Sequence, residues 1–235
     1  MDTNLSGAPA VLSARSIRPG MIVTIGLIVF SLLFLVVDQA WFGFANVRFP
    51  NVGESTRLAN LWGILSRLHN LLILAAALLW RRDLLALRRG RIGRHWRLLL
   101  GMLLANLAII GAYLWLSGSP TPYSGDQWLL TEIVTVPVVE ELFWRGLVFS
   151  VALAALRRSY KEGTVQHITV WSTGLAYGLL HASNALSGVP LGLALLQAVN
   201  ASIWGVVYGY ARAKSDSVYP ALVMHAAMNL LVVLV

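Results

Sequence analysis

The sequence contains no cysteine among its 235 residues. A chain without cysteine has no thiol nucleophile, no cysteine-ligated zinc site and no disulfide or thiol redox chemistry. Any catalysis must therefore depend on side chains of His, Glu, Asp, Ser or Tyr.

Charged residues are also scarce, since Asp, Glu, Lys and Arg make up 12% of the chain. A soluble domain carries about twice that fraction. Hydrophobic residues make up 57% of the sequence, and the mean hydropathy is +0.70. These values exclude a disordered chain and an ordinary soluble globule, and they indicate a membrane protein.

Three motifs of membrane-associated proteases are missing from the sequence. There is no His-Glu-x-x-His, so the standard zincin helix is excluded. There is also no Gly-x-Ser-Gly for a rhomboid-like serine nucleophile, and no Gly-x-Gly-Asp for a presenilin-like pair of aspartates.

Long apolar segments recur along the whole chain. A helix that crosses a hydrocarbon core of about 30 Å needs about 20 mostly apolar residues. The sequence has no internal repeat and no linker of domain size, so we predict an all-α, multi-pass transmembrane helical bundle in a single polytopic membrane domain, 1–235. Seven segments meet the length requirement, at approximately 21–43, 60–80, 97–116, 129–156, 167–186, 191–211 and 219–235.

The basic residues predict the orientation of the chain. Most of the 18 Lys and Arg residues fall in one set of alternate loops, whereas the other set contains Arg48 and Arg57. Because Lys and Arg in short loops stay on the cytoplasmic side, we predict a cytoplasmic N-terminal tail, 1–20, and external loops at 117–128 and 187–190. The expected location is the plasma or inner membrane. The positive charge therefore favours orientation in a lipid bilayer over nucleic-acid binding.

Two carboxylates and a guanidinium lie close together inside the 129–156 segment. Charge inside a bilayer costs about 2.5–3.5 kcal/mol per central residue on insertion scales, so such groups are functional candidates. Glu141 and Arg145 are four residues apart and can form an ion pair. Glu140 has no basic partner in its own helix, which makes it a candidate general base. Pro137 lacks an amide hydrogen and frees the carbonyl of Ile133, so a kink is expected just before the carboxylates.

Later segments carry two further polar faces. Tyr177, His181 and Asn184 fall on one helical face, and His225 and Asn229 on another. If these faces converge on Glu140, the cluster contains a base, a histidine that can hold a water, and a histidine and an amide that can stabilise an oxyanion. Those groups suffice for attack on a peptide carbonyl.

Other charged and polar residues in the apolar segments are less informative. Arg67, His69 and Asn70 are interpreted as packing residues, or as minor substrate contacts. Asp38 and Glu132 lie nearer the ends of their segments, where water is expected to reach them.

Three spaced motifs on successive hydrophobic segments resemble one known family. They are Glu-Glu-x-x-x-Arg at 140–145, an aromatic residue followed by x-x-x-His at 177–181, and His-x-x-x-Asn at 225–229. In this order they resemble the CPBP family of CAAX prenyl endopeptidases and bacteriocin-processing membrane proteins. The resemblance covers about 129–235. Tyr177 and Trp144 stand where the family commonly has Phe, and its members commonly have eight membrane helices, so the resemblance implies about seven to eight.

The resemblance implies a function and a role for each motif residue. Glu140 with His181 would activate the hydrolytic water, and His225 with Asn229 would stabilise the oxyanion. Glu141 and Arg145 would be supporting residues, and no cofactor would be needed. The chain would be a glutamic intramembrane protease acting on a membrane-associated or lipidated protein or peptide precursor. The substrate could carry a prenylated C-terminal motif, a leader or bacteriocin sequence, or a C-terminal sorting helix.

Two alternatives use the same polar residues. Glu140, His181 and His225 could hold a divalent metal such as Zn, with a metal-bound water as the nucleophile. A small ligand set and the oxyanion role of Asn229 favour the metal-free mechanism. The same cluster could instead serve a proton-coupled transporter as a relay. A non-catalytic membrane scaffold is disfavoured because every motif residue is present.

Overall fold

The computed structural model describes residues 14–117, 125–187 and 189–234. All regular secondary structure within these ranges is helical, which confirms the all-α prediction. Most of the predicted cytoplasmic tail and most of the predicted loop 117–128 lie outside the described residues.

The described chain forms a bundle of helices joined by short connections. Short 3₁₀ turns lie at Val52–Glu54, Arg82–Leu85, Asp126–Trp128 and Ala182–Ser187. The α-helices are α1 (Ala14–Arg48), α2 (Thr56–Ser66), α3 (Leu68–Trp80), α4 (Ile92–Ser117), α5 (Val136–Glu141), α6 (Phe149–Leu156), α7 (Glu162–His181), α8 (Leu191–Ser215) and α9 (Tyr219–Leu234).

Three described helices are long and apolar enough to cross a membrane: Pro19–Arg48 within α1, Ile92–Trp115 within α4, and α8. α2 and α3 meet the same length and composition test only as a pair, bent by 64°, and they form either a broken fourth span or a re-entrant loop. The other predicted spans fall on helices that are interrupted, more polar or short. For example, α9 has 16 residues, about 24 Å of helix against a core of about 30 Å. The count of seven to eight spans therefore stays a prediction.

The segment that carries both glutamates is a continuous helical run over 129–156, here called the glutamate helix. Two π-helical turns, Thr131–Thr135 and Leu142–Val148, flank α5 within it. The amide of Val136 donates to the carbonyl of Thr131, five residues back, immediately before Pro137. A π turn therefore lies directly before Pro137, where a kink was expected. The kink itself stays a prediction, and neither π turn was predicted.

α7 and α8 pack against each other along small residues. A Cβ atom on Gly174 would lie 2.8 Å from the amide nitrogen of Val206. One on Gly178 would overlap the hydroxyl of Ser202 and lie 2.6 Å from the carbonyl oxygen of Ala198. Such small residues let membrane helices approach closely, and here they bring the end of α7 against the first half of α8.

We expect Gly178→Ala to destabilise the protein, because the added methyl group has no space. Overpacking of this kind typically costs about 1–3 kcal/mol. Gly111→Ala on α4 is the matched control, since a Cβ there meets no atom within 4 Å. Thermal unfolding in detergent should show a lower Tm for Gly178→Ala than for the control, and equal Tm values would contradict the close packing of α7 and α8.

The loop after α3 is tied to the turn between α8 and α9. Arg88 donates to the Asp216 carboxylate at 2.7 Å, and Arg212 does so at 3.2 Å. Partial burial raises the pKa of the Asp216 carboxyl, but the hydrogen bond from Arg88 and the charge of Arg212 outweigh it and hold that pKa below its usual value. This contact fixes the end of α8 on the side predicted to be cytoplasmic.

Candidate active site

A cavity of about 350 Å³ lies among α1, the bend between α2 and α3, the glutamate helix, α7, α8 and α9. Its lining includes all of the predicted catalytic residues, Glu140, His181, His225 and Asn229. The polar residues of three separate helical segments therefore line one cavity, which meets the condition on which the proposed cluster depended.

Glu140 is held by groups from two other helical segments. The hydroxyl of Tyr177 donates to its Oε2 at 2.7 Å. A terminal nitrogen of Arg67, Nη2, lies 3.6 Å from its Oε1. About one fifth of the Glu140 side chain is exposed, so the carboxylate is accessible from the cavity.

His181 is the last residue of α7, and its ring is fixed by Tyr177. Its Nδ1 lies 3.1 Å from the backbone carbonyl oxygen of Tyr177, and the two rings meet edge to face with centroids 4.7 Å apart. Because a carbonyl oxygen only accepts, Nδ1 carries the hydrogen and Nε2 is left as an acceptor. His181 also lies within electrostatic range of Glu140.

The predicted continuation of this helical face to Asn184 is wrong. α7 ends at His181, and Asn184 lies in the 3₁₀ turn that follows, where a tighter winding changes the direction of each side chain. Asn184 still borders the cavity, and it donates to the side chain of Gln197 at 2.8 Å.

A buried charge network lies behind the cavity. Glu141 is fully buried, and its Oε2 lies 3.3 Å from Nε of Arg145, so the predicted ion pair is present. The Arg145 guanidinium also lies over the ring of Tyr177, 4.2 Å from its centroid, and over that of Tyr208 at 5.5 Å. Its terminal nitrogens make no hydrogen bond within the described residues. These aromatic faces therefore provide part of its stabilisation.

His225 belongs to the same network, a link that the sequence did not predict. Its Nδ1 lies 2.8 Å from Oε1 of Glu141. With a carboxylate on Nδ1, the nitrogen available to the cavity is Nε2. The sequence did indicate that a further partner was needed, because the helix that carries Glu140 and Glu141 contains a single arginine, Arg145. It did not indicate which other helix supplies that partner.

Asn229 is fixed by the first π turn. Its amide nitrogen donates to the backbone carbonyl of Glu132 at 2.8 Å and lies 3.5 Å from the Glu132 carboxylate. Glu132, which was expected near a water-exposed end, lies instead on the cavity wall beside Asn229.

Arg67 is the main site residue whose position the sequence did not predict. It is the residue between α2 and α3, at the 64° bend, and it lines the cavity. The sequence offered one signal: Arg67 has no acidic residue in its own apolar segment, and Glu140 has no basic partner in its own because Arg145 pairs with Glu141. Nearby, His69 Nε2 lies 3.3 Å from the Asp38 carboxylate and 3.1 Å from the amide nitrogen of Asn70.

Within the described residues, no group of three or more His, Asp or Glu side chains is arranged to hold a metal ion. The set Glu140, His181 and His225 is therefore not gathered as a metal-ligand group in the described part of the chain. The metal-dependent alternative stays a prediction for experiment.

Comparison with known proteins gives one match. Residues 127–231 match the family model described as "Type II CAAX prenyl endopeptidase Rce1-like". The match is consistent with the CPBP family, and the resemblance read from the three motifs is confirmed. It includes every predicted site residue and leaves out α1 to α4, and therefore Arg67. The searches of curated proteins and of solved structures gave no significant match.

Proposed function

We propose that this chain, whose residues 127–231 match the type II CAAX prenyl endopeptidase family, is an intramembrane endopeptidase. It hydrolyses a peptide bond of a membrane-associated or lipidated protein or peptide precursor. The observation that carries the proposal is the meeting of Glu140, His181, His225 and Asn229 at one cavity among apolar helices.

In the proposed mechanism, Glu140 is the general base. A water held between the Glu140 carboxylate and Nε2 of His181 gives a proton to Glu140 as its oxygen attacks the carbonyl carbon of the scissile bond. Glu140 then returns that proton to the leaving amine as the carbon–nitrogen bond breaks. The hydrogen bond from Tyr177 and the charge of Arg67 support this role, because both orient the carboxylate toward the cavity.

His225 and Asn229 stabilise the tetrahedral oxyanion in this mechanism. With Nδ1–H held by Glu141, a protonated His225 ring can donate from Nε2, and Glu141 balances the positive charge. Asn229 Nδ2 carries two hydrogens. One is donated to the Glu132 carbonyl at 2.8 Å, and the other makes only a long contact of 3.5 Å to the Glu132 carboxylate, so in this mechanism it turns to the oxyanion. Glu141 and Arg145 act through His225 as positioning residues.

The remaining parts of the proposal concern the membrane. We propose a single polytopic domain, with 129–235 supplying the catalytic helices, in the plasma or inner membrane with a cytoplasmic N-terminus. The lipid bilayer is then a partner, and nucleic acid is not. The uneven distribution of Lys and Arg between alternate loops supports this orientation.

We expect Arg67→Gln to lower kcat roughly tenfold, which corresponds to about 1.4 kcal/mol of transition-state stabilisation. The glutamine removes the positive charge that faces Glu140. Arg67→Lys should retain more activity, since it keeps that charge. Arg57→Gln is the control, because Arg57 is exposed on the same bent pair of helices. Steady-state kinetics that are equal for Arg67→Gln and Arg57→Gln would contradict a role for Arg67 at Glu140.

Cleavage in reconstituted vesicles tests the proposal. The purified chain is mixed with a farnesylated C-terminal peptide or with an unlipidated hydrophobic peptide, and the products are identified by mass spectrometry. A pH-sensitive dye inside the vesicles reports proton flux. A defined cleavage product without proton flux is expected, whereas proton flux without any product would favour the relay.

A chelator separates the two hydrolytic mechanisms in the same vesicles. Full activity after treatment with EDTA and 1,10-phenanthroline is expected for a water activated by Glu140. Loss of activity that added Zn²⁺ restores would instead support the metal-dependent alternative.

A further inference from the structure

The first half of α8 carries two polar side chains among lipid-facing apolar ones. Gln197 and Asn200 are exposed, and so are Leu193, Leu196 and Val199 beside them. α8 begins at Leu191 and rises about 1.5 Å per residue, which places the two amides about 9 and 14 Å into the helix. At that depth within a membrane span, polar side chains are expensive unless they face a partner or a water-filled space.

Both amides border the cavity. Gln197 and Asn200 line it together with Asn184, which comes from the 3₁₀ turn after α7. We call these three side chains the amide rim. Asn184 donates to Gln197 at 2.8 Å, so the rim bridges the end of α7 and the first half of α8. No hydrogen bond joins the rim to Glu140, His181, His225 or Asn229 among the described contacts.

The size of the cavity limits what can enter it. The cavity has a volume of about 350 Å³. An α-helix with its side chains is about 10–12 Å across and an extended chain is narrower, so an extended segment fits a cavity of this size more readily than a helix does. An unwound segment exposes backbone N–H and C=O groups that need hydrogen-bond partners wherever water is scarce.

The chemistry of the rim matches that need. Each carboxamide offers two donor hydrogens and an acceptor oxygen, the same groups that a peptide backbone pairs with, and it carries no charge. Exposed carboxamide side chains on one face of a helix can therefore hydrogen-bond to the backbone of an extended peptide, as the edge strand of a sheet does with its own backbone groups.

We propose that the amide rim is a binding subsite for the extended, unwound backbone of the polypeptide that enters the cavity. This inference rests on the proposed function. The rim recognises uncharged backbone and not the lipid, so it contributes equally to lipidated and unlipidated substrates of the same sequence.

Binding to a catalytically silent chain tests the subsite. Glu140→Gln serves as the parent, and Gln197→Leu with Asn200→Leu removes two amides from it. The probe is a fluorescent farnesylated peptide, used alongside an unlipidated peptide of the same sequence and a version locked as a helix by a hydrocarbon staple. Binding is measured by fluorescence anisotropy in nanodiscs, and folding is checked by thermal unfolding.

We expect the double substitution to raise Kd roughly thirtyfold for both linear peptides, which is about 2 kcal/mol for the loss of two hydrogen bonds. Asn200→Gln, which keeps the carboxamide, should bind within about twofold of the parent. Val199→Leu is the lipid-facing control and should leave Kd unchanged. The stapled peptide should bind the parent more weakly than the linear one and should lose no further affinity on the double substitution.

Several results would overturn the subsite. The first is an equal Kd for the folded double variant and for Val199→Leu. The second is equal affinity of the parent for the linear and the stapled peptides. The third is that neither linear peptide binds the parent. The chain with Glu140 intact keeps the two proposals separate. If the chain with Glu140 cleaves the peptide but the double substitution leaves Kd unchanged, the subsite is refuted and the protease is not. If the double substitution raises Kd but no cleavage occurs, the protease is refuted and the subsite is not.

Discussion

Replacing Glu140 with glutamine is expected to abolish peptide cleavage while the chain still folds and inserts into vesicles. Glutamine is nearly isosteric, and its carbonyl oxygen can still accept the hydrogen bond from Tyr177. An amide does not take a proton from water, however, so the attacking hydroxide no longer forms at the cavity. Loss of a general base typically costs a factor of about 10²–10⁴ in kcat.

Glu132→Gln is the matched control for this experiment. Glu132 lies in the same helix and lines the same cavity, but Asn229 depends mainly on its backbone carbonyl, which the substitution leaves in place. We expect a much smaller fall in kcat for Glu132→Gln, with a comparable Tm for both variants. Cleavage by Glu140→Gln at the wild-type rate would remove Glu140 from the role of base, and an equal loss in Glu132→Gln would transfer that role to Glu132.

The helical segments and the ion pair within one helix were predictable from local patterns. The apolar segments are long enough to be recognised in the sequence. Glu141 and Arg145 form an ion pair because residues four positions apart are neighbours on one face of a helix. The expectation of a kink before the carboxylates rested on a single residue, Pro137, which lacks an amide hydrogen, and a π turn lies directly before it. Each of these features depends on one helix at a time.

The contacts between helices were not predictable in the same way. His225 reaches Glu141 rather than Glu140, although the two glutamates are adjacent in sequence and differ by about 100° around the helix. That choice is decided by the rotation of α9 against the glutamate helix, which the two π turns alter. Arg67 reaches Glu140 because α2 and α3 bend by 64°, and a bend of that size has no periodic signal.

Arg145→Met is expected to cause the largest loss of stability. Arg145 is 2% exposed and Glu141 is fully buried, so the substitution leaves the carboxylate without its guanidinium. Breaking a buried ion pair by removing one partner typically costs about 3–5 kcal/mol. Thermal unfolding in detergent should show a large fall in Tm, and a Tm equal to that of the wild type would contradict the role of this pair in the fold.

Adding Glu141→Gln to Arg145→Met separates stability from catalysis. Removing both charges takes away the unpaired carboxylate, and replacing a buried ion pair by neutral groups is often close to neutral, so much of the Tm should return. Activity should not return, because His225 has then lost the carboxylate that holds its Nδ1 and balances its charge. Loss of one oxyanion donor typically costs about 10²–10³ in kcat. If the double variant regained both Tm and kcat, Glu141 would contribute to stability and not to catalysis, since His225 would then function without the Glu141 carboxylate.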